Sequence, residues 1–232
     1  GHLLMSPRRK NIIKFYTSTN LENDLSNKNI IDNVILTNPL LKTIRALCNA
    51  SSGVDAKTAA LSVVGPFGSG KSTSVLFGYH YLRGTLPKRI INTLNTHDIP
   101  AVTKPYLKRE ITVVTGVKKS LNEHLKRRLQ VRGDLETAIK KKIDSGKRLV
   151  LIIDEFGKYL EYNADNPKNG DVYVLQQLAE LAQRSNGNFI LLTIRHQALS
   201  AYFSSVKTSY LNEWKKIQGR FNDVIHTASL NE

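Results

Sequence analysis

The chain has 232 residues, 41% of them hydrophobic, and 34 Lys and Arg outnumber 19 Asp and Glu for a formal net charge of +15. That length suits one large domain or two small ones with a substantial core. No apolar run approaches the ~18 residues that a membrane-spanning helix needs, and the single cysteine, Cys48, excludes an internal disulfide and fits a reducing cytoplasm.

Gly1-His2-Leu3-Leu4 reads as a cloning scar ahead of Met5, the one methionine. Residues 1–37 are expected to form an N-terminal extension and residues 38–232 the core domain. Ile12 to Tyr16 reads as a short strand, and the Asn-rich stretch Asn20 to Asn33 as loop. Asn38-Pro39 is a helix start, a cap residue followed by proline. Leu40, Leu41, Ile44, Leu47 and Cys48 mark its apolar face, on which Cys48 is a small buried hydrophobe, and Ser51-Ser52-Gly53 ends it.

Ala59 to Val64 then reads as a buried strand and Ser72 to Leu82 as a helix. Between them stands Gly65-Pro66-Phe67-Gly68-Ser69-Gly70-Lys71-Ser72, followed by Thr73, which fits the P-loop pattern G-x-x-x-x-G-K-[ST] at every fixed position. Glycines let a backbone wrap tightly and turn its N–H groups onto a phosphate. The following helix adds the positive end of its dipole. Lys71 would reach the β- and γ-phosphates of ATP, and the Ser72 hydroxyl would ligate Mg2+.

Gly84 and Pro87 break the pattern, and Pro100 and Pro105 argue against a long element over 88–109. Ile111 to Thr115 is β-branched and ends at Gly116, a core strand. Ser120 with Glu123 makes a capping box for a helix whose stripe is Leu121, Leu125 and Leu129. A second helix starts at Asp134, carries Leu135, Ala138, Ile139 and Ile143, and stops at Gly146. Residues 104–148 hold 14 Lys or Arg against five Asp or Glu, so +9 of the net charge lies there. Such a field suits DNA or RNA, acidic lipid headgroups or an acidic partner, or else is a solvated basic surface.

Leu149 to Ile153 is an uninterrupted apolar run, as in a strand buried on both faces. Residues 163–170 read as exposed loop, Val172 to Ala182 as a helix ended by Asn186-Gly187, and Phe189 to Ile194 as another buried strand. Helices are expected over Leu199–Val206 and Leu211–Gln218, then a last strand over Asp223–Thr227. Strands alternating with helices imply an α/β fold, a parallel sheet flanked by helices, with ligands at the carboxyl ends of the strands.

Asp154-Glu155 closes the apolar run at such an end, a Walker B pattern. Asp154 would hold Mg2+ opposite Ser72, and Glu155 would orient or deprotonate a water. Thr193, Arg195 and His196 are candidates to sense the γ-phosphate.

Taken together, Gly65–Ser72, Leu149–Glu155, Phe189–His196 and Trp214–Phe221 resemble the core of an AAA+ P-loop ATPase of the additional-strand type, near the origin-recognition and STAND branches. The resemblance covers roughly residues 35–228. Phe156 to Glu161 is similar to the same region of large ATPases from bacterial phage-defence operons. The resemblance implies ATP and Mg2+ as cofactors, a homo-oligomer or larger complex, and Arg220 as a finger reaching a neighbouring subunit's ATP. No helical lid with a second sensor arginine follows, so the chain is expected to be a piece of a longer protein. The expected activity is ATP hydrolysis driving an assembly on nucleic acid. The alternative is a STAND-type switch that binds ATP, oligomerises and hydrolyses slowly. A small-molecule kinase fits less well, because the Asp-Glu pair suits water activation better than acceptor binding.

Overall fold

Among the described residues, parallel pairing joins five strands into one sheet, in the order β2-β3-β4-β1-β5. The strands are β1 (Ala60–Val64), β2 (Ile111–Thr115), β3 (Leu149–Asp154), β4 (Phe189–Arg195) and β5 (Asn222–Ile225). The computed structural model describes residues 21–197, 199–202 and 208–227, so the strand expected over Ile12–Tyr16 lies outside the described residues.

Every residue of β1 and β4 is buried. Successive side chains of a strand point to opposite faces, so both faces of the sheet are covered there. One cover is the pair α3 (Asn38–Ser52) and α4 (Lys71–Arg83), flanked by the short helices α1 (Leu21–Asp24) and α2 (Lys28–Asp32). Another is α9 (Asp171–Arg184), which lies along β4 and touches α6 (Leu121–Arg128), α7 (Leu135–Asp144) and α11 (Thr208–Gln218). The remaining helices are α5 (Lys88–Thr96), α8 (Gly157–Asp165) and α10 (Leu199–Tyr202).

Several local expectations change. The stretch read as loop from Asn20 to Asn33 contains α1 and α2, because Leu21 and Ile31 are buried in the core and tertiary packing overrides poor propensity. The cap of α3 is Thr37, whose hydroxyl accepts from the Leu40 N–H at 3.4 Å, and Asn38 is already helical. Cys48 is half-buried. Residues 88–109 contain α5 and a 3-10 turn, Lys108–Glu110. Helix α8 extends to Asp165, so Asn163, read as exposed, is buried. Of the helix expected over Leu199–Val206, residues 203–207 lie outside the described residues, and the last strand ends at Ile225.

Register sets the level of the functional ends. Ile153 and Ser62 both pair with Thr193, so Asp154 lies level with Val63, one residue below the end of β1. The P-loop and the Asp-Glu pair therefore leave the sheet at the same height, with β4 between them. Among the described residues no helix is long and apolar enough to cross a membrane.

Candidate nucleotide site

The loop from Gly65 to Gly70 is built by close packing below and open space above. A Cβ on Gly65 would sit 2.5 Å from the His226 carbonyl and 2.6 Å from Ser69 Oγ, so only glycine fits. Gly68 and Gly70 have φ of 79° and 85°, in the left-handed region that favours glycine, and a Cβ on either would meet nothing within 4 Å. Pro66 and Phe67 are exposed, while Ser72 and Thr73 in the first turn of α4 are half-buried. No side chain caps the N-terminus of α4, whose cap residue is Gly70. Its first N–H groups thus face the loop hollow without a side-chain partner, the arrangement that receives an anion. Ser69 Oγ is buried with no hydrogen-bond partner. The N–H groups at the start of α4, facing the open side of the loop, fit a phosphate group.

Lys71 is 5% exposed, and its ammonium donates to the Pro66 carbonyl at 3.3 Å. Burial holds its pKa below the ordinary lysine value, opposed by the charges of Glu155 and Asp154. Asp154 is buried, and burial pushes its carboxyl up to about 6, helped by the Glu155 charge. The N–H groups of Glu155 and Leu21 and the Lys71 charge act in the other direction. The P-loop lysine and the two strand-end carboxylates therefore form one electrostatic cluster.

Glu155 turns the chain sharply at the end of β3. Its φ is 50°, strained for a residue with a side chain. Its carbonyl lies where a Cβ on Gly116 would be, 2.1 Å away, so Gly116 makes room for the turn. His196 Nε2 lies 3.3 Å from Glu155 Oε2. This contact fixes the carboxylate beside the end of β4.

The three candidates at the end of β4 separate in space. Thr193 is buried, and its hydroxyl bonds Ser62 Oγ at 2.8 Å across the β4–β1 pair. Arg195 is buried and spans behind β1, with its guanidinium 3.4 Å from both oxygens of Asp223 and donating to the Gln197 carbonyl at 2.7 Å. Only His196 is exposed beside a site carboxylate. Arg220 lies two residues before β5, at the opposite end of the sheet from Lys71, and pairs with Glu180 at 2.7 Å.

Sequence reasoning missed His226. It is buried just past β5, and its Nε2 bonds Ser74 Oγ of α4 at 2.7 Å. It thereby props the P-loop helix from below, and the apolar run around it concealed this. Among the described residues no three His, Cys, Asp or Glu gather as a metal site. Mg2+ is ordinarily held by one or two carboxylates together with phosphate oxygens and waters. Asp154 and Ser72 suit that donor set. Scanned against protein-family models and against curated proteins, the chain matches none.

Proposed function

We propose that the chain is an ATPase module of the AAA+, additional-strand kind, which binds ATP with Mg2+ at the P-loop and hydrolyses it. One observation carries this reading: buried Lys71, next to the open Gly65–Gly70 cradle, starts the helix after β1 at the same height at which Asp154-Glu155 leaves β3 across β4. The position of β4 between the P-loop strand and the acidic strand supports the fold assignment.

Each residue has a role in this reading. Backbone N–H groups at the start of α4 and the Lys71 ammonium bind the β- and γ-phosphates. Ser72 and Asp154 hold Mg2+, which when bound neutralises charge on the phosphate oxygens. Glu155 orients a water and accepts its proton as the water oxygen bonds to the γ-phosphorus and the bond to ADP breaks. His196 holds the Glu155 carboxylate in place.

The STAND-type switch reading draws support from that same contact, because a glutamate engaged by His196 is restrained from serving as a base. One set of measurements separates the readings. Lys71→Ala should abolish binding of a fluorescent ATP analogue. Glu155→Gln should retain binding but lose turnover by ~10²-fold or more, the scale of general-base catalysis. If Lys71→Ala binds and turns over normally while folded, the nucleotide assignment fails. His196→Ala should lower turnover without changing ATP affinity if His196 positions the base, and raise it if His196 restrains the base.

A further inference from the structure

The basic segment 104–148 is split by the fold between the two ends of the sheet, and five of its exposed cations gather at the end opposite the P-loop. Lys108 and Arg109 lie in the turn that leads into β2, and Lys147 in the turn that leads into β3. Lys142 lies in the last turn of α7. Arg109 and Lys142 line one hollow together with Leu149 and Phe189, the first residues of β3 and β4. Lys104 joins them, since its carbonyl accepts from Arg148, the residue before β3. All five cationic side chains, Lys104, Lys108, Arg109, Lys142 and Lys147, are exposed.

None of the five forms an ion pair among the described residues. Three other cations of the segment do: Lys118 with Asp165 at 3.2 Å, Lys140 with Asp144 at 3.1 Å and Arg128 with Glu22 at 3.5 Å. Two carboxylates lie in the same region, and one of them, Glu110, lines the same hollow as Arg109 and Lys142. Asp144 is taken by Lys140, and Glu110 accepts from the Leu107 N–H at 3.5 Å. The floor under the cations is fixed. Arg148 lies over the Tyr106 ring, 4.2 Å from its centre, and donates to the Ser51 carbonyl at 2.8 Å, while the Tyr106 hydroxyl donates to the Gly187 carbonyl at 2.5 Å. A lysine at a helix C-terminus is ordinary dipole compensation. That accounts for Lys142 and not for the cations in the two turns and at Lys104.

We propose that this end of the sheet binds the phosphate backbone of double-stranded nucleic acid. A fixed platform whose exposed cations outnumber the nearby carboxylates gains most when it displaces the counterions condensed on a polyanion. Single strands are held by stacking on exposed aromatic rings. The aromatic residues of this platform, Tyr106 beneath Arg148 and Phe189 in the hollow, are each 1% exposed, which favours a duplex. A lipid surface would call for exposed apolar anchors. Leu107 is the one large hydrophobic side chain exposed among residues 104–110. DNA and RNA duplexes share the phosphodiester chemistry, and the experiment separates them. The six residues of β3 place this surface roughly 20 Å from Asp154, at ~3.3 Å per residue. Both ends can therefore be occupied at once, and the proposal stands whether or not the P-loop end hydrolyses ATP.

The test uses the full chain without nucleotide and fluorescence anisotropy of labelled DNA duplex, RNA duplex and single strands between about 50 and 200 mM salt. The variant Lys108→Gln, Arg109→Gln, Lys142→Gln, Lys147→Gln is compared with a charge-matched control, Lys118→Gln, Lys119→Gln, Lys158→Gln, Lys168→Gln, from other parts of the surface. The first should lose at least ~10-fold in duplex affinity at the lower salt and flatten the log–log salt slope by roughly 3 to 4, one unit or slightly less per phosphate contact. The control should keep the wild-type slope. The double variants Lys108→Gln, Arg109→Gln and Lys142→Gln, Lys147→Gln, each checked by thermal melting, should each lose about half of the slope change. Equal losses in the variant and its control, no wild-type duplex binding at low salt, or tighter binding to single strands or anionic vesicles would each overturn the proposal.

Discussion

Burial disfavours the charged form of both His124 and His226. The His124 pKa lies below the ordinary histidine value because burial, then Arg128, Lys119 and Arg127, disfavour the imidazolium, and the Tyr159 hydroxyl bonds its Nδ1. His226 is lowered by burial and by the nearby Lys71 charge. A histidine whose folded pKa is depressed contributes stability that is present above its unfolded value, about 6.5. That contribution is lost as pH falls through the folded value. Asp154 and Asp223, whose pKa values are raised by burial, act with the opposite sign, because their folded forms hold protons more tightly than the unfolded chain does. The histidine share is therefore read by difference. Between about pH 7.5 and 5.5 the urea midpoint should fall further in the wild type than in His124→Gln. Parallel pH profiles for the two proteins would show that His124 is not held neutral. At the same scale, Thr193 bonds Ser62 across the strand pair at 2.8 Å, and His196, the residue just past β4, contacts the site carboxylate Glu155.

A buried polar network ties helices that no local pattern connects. Asp171, 1% exposed, accepts from Ser120 Oγ at 2.9 Å, from the Leu121 N–H at 2.8 Å and from the Asn122 N–H at 3.2 Å. The N-terminus of α6 is thus capped by the first residue of α9 as well as by its own Ser120, which accepts from the Glu123 N–H at 3.4 Å. Asn169 donates to Asp171 at 3.0 Å, Asn163 donates to Asn169 at 2.7 Å, and the Trp214 indole donates to Asn163 at 2.8 Å. Helices α6, α8, α9 and α11 therefore share one chain of hydrogen bonds. Removing its centre leaves buried donors unpaired, which costs about 1–3 kcal/mol per group beyond the lost charge at the helix end. Asp171→Ala is expected to destabilise the fold by roughly 2–4 kcal/mol, and Asp171→Asn by less, since the amide keeps one acceptor. Denaturant titration of both variants checks this. A loss under ~0.5 kcal/mol for Asp171→Ala would mean that water replaces the cap without penalty.

Across the molecule the two ends of the sheet carry different chemistry. The P-loop and the acidic pair stand at the carboxyl ends of β1 and β3, while Arg220 and the cationic platform stand at the other end. Arg220 precedes β5, whose Asn222 pairs with Leu61 near the start of β1, so its side chain cannot serve the P-loop of its own chain. Its pairing with Glu180 is partly exposed and contributes at most about 1 kcal/mol. If subunits assemble so that Arg220 meets a neighbour's ATP, specific activity should rise with protein concentration. Arg220→Ala should then cut turnover, by ~10³–10⁵-fold on the scale of known fingers, while sparing ATP affinity. Mixing it with Lys71→Ala should recover part of the activity, because each variant supplies what the other lacks. Activity per subunit that is independent of concentration, with a mixture that stays inactive, would leave Arg220 as the surface partner of Glu180.

The alternation of strands and helices, the glycine-rich loop between its strand and helix, and the apolar strand ending at Asp154 were all legible in the sequence. These signals are local: glycine spacing, period and short apolar runs act over a few residues, and neighbours in the chain suffice to form them. The start of α7 at Asp134 was legible for the same reason, since its side chain accepts from the Thr137 N–H at 2.9 Å only three residues away. Tertiary structure alone decided the strand order, the Thr193–Ser62 bond, the hold of His196 on Glu155, the capping of α6 by Asp171 and the division of the basic segment between two ends of the sheet. Each of these joins residues far apart in the chain, 131 positions in the case of Ser62 and Thr193. Such pairs meet only after apolar burial has stacked the strands, and no local pattern of residue types encodes which partner a polar side chain will then face.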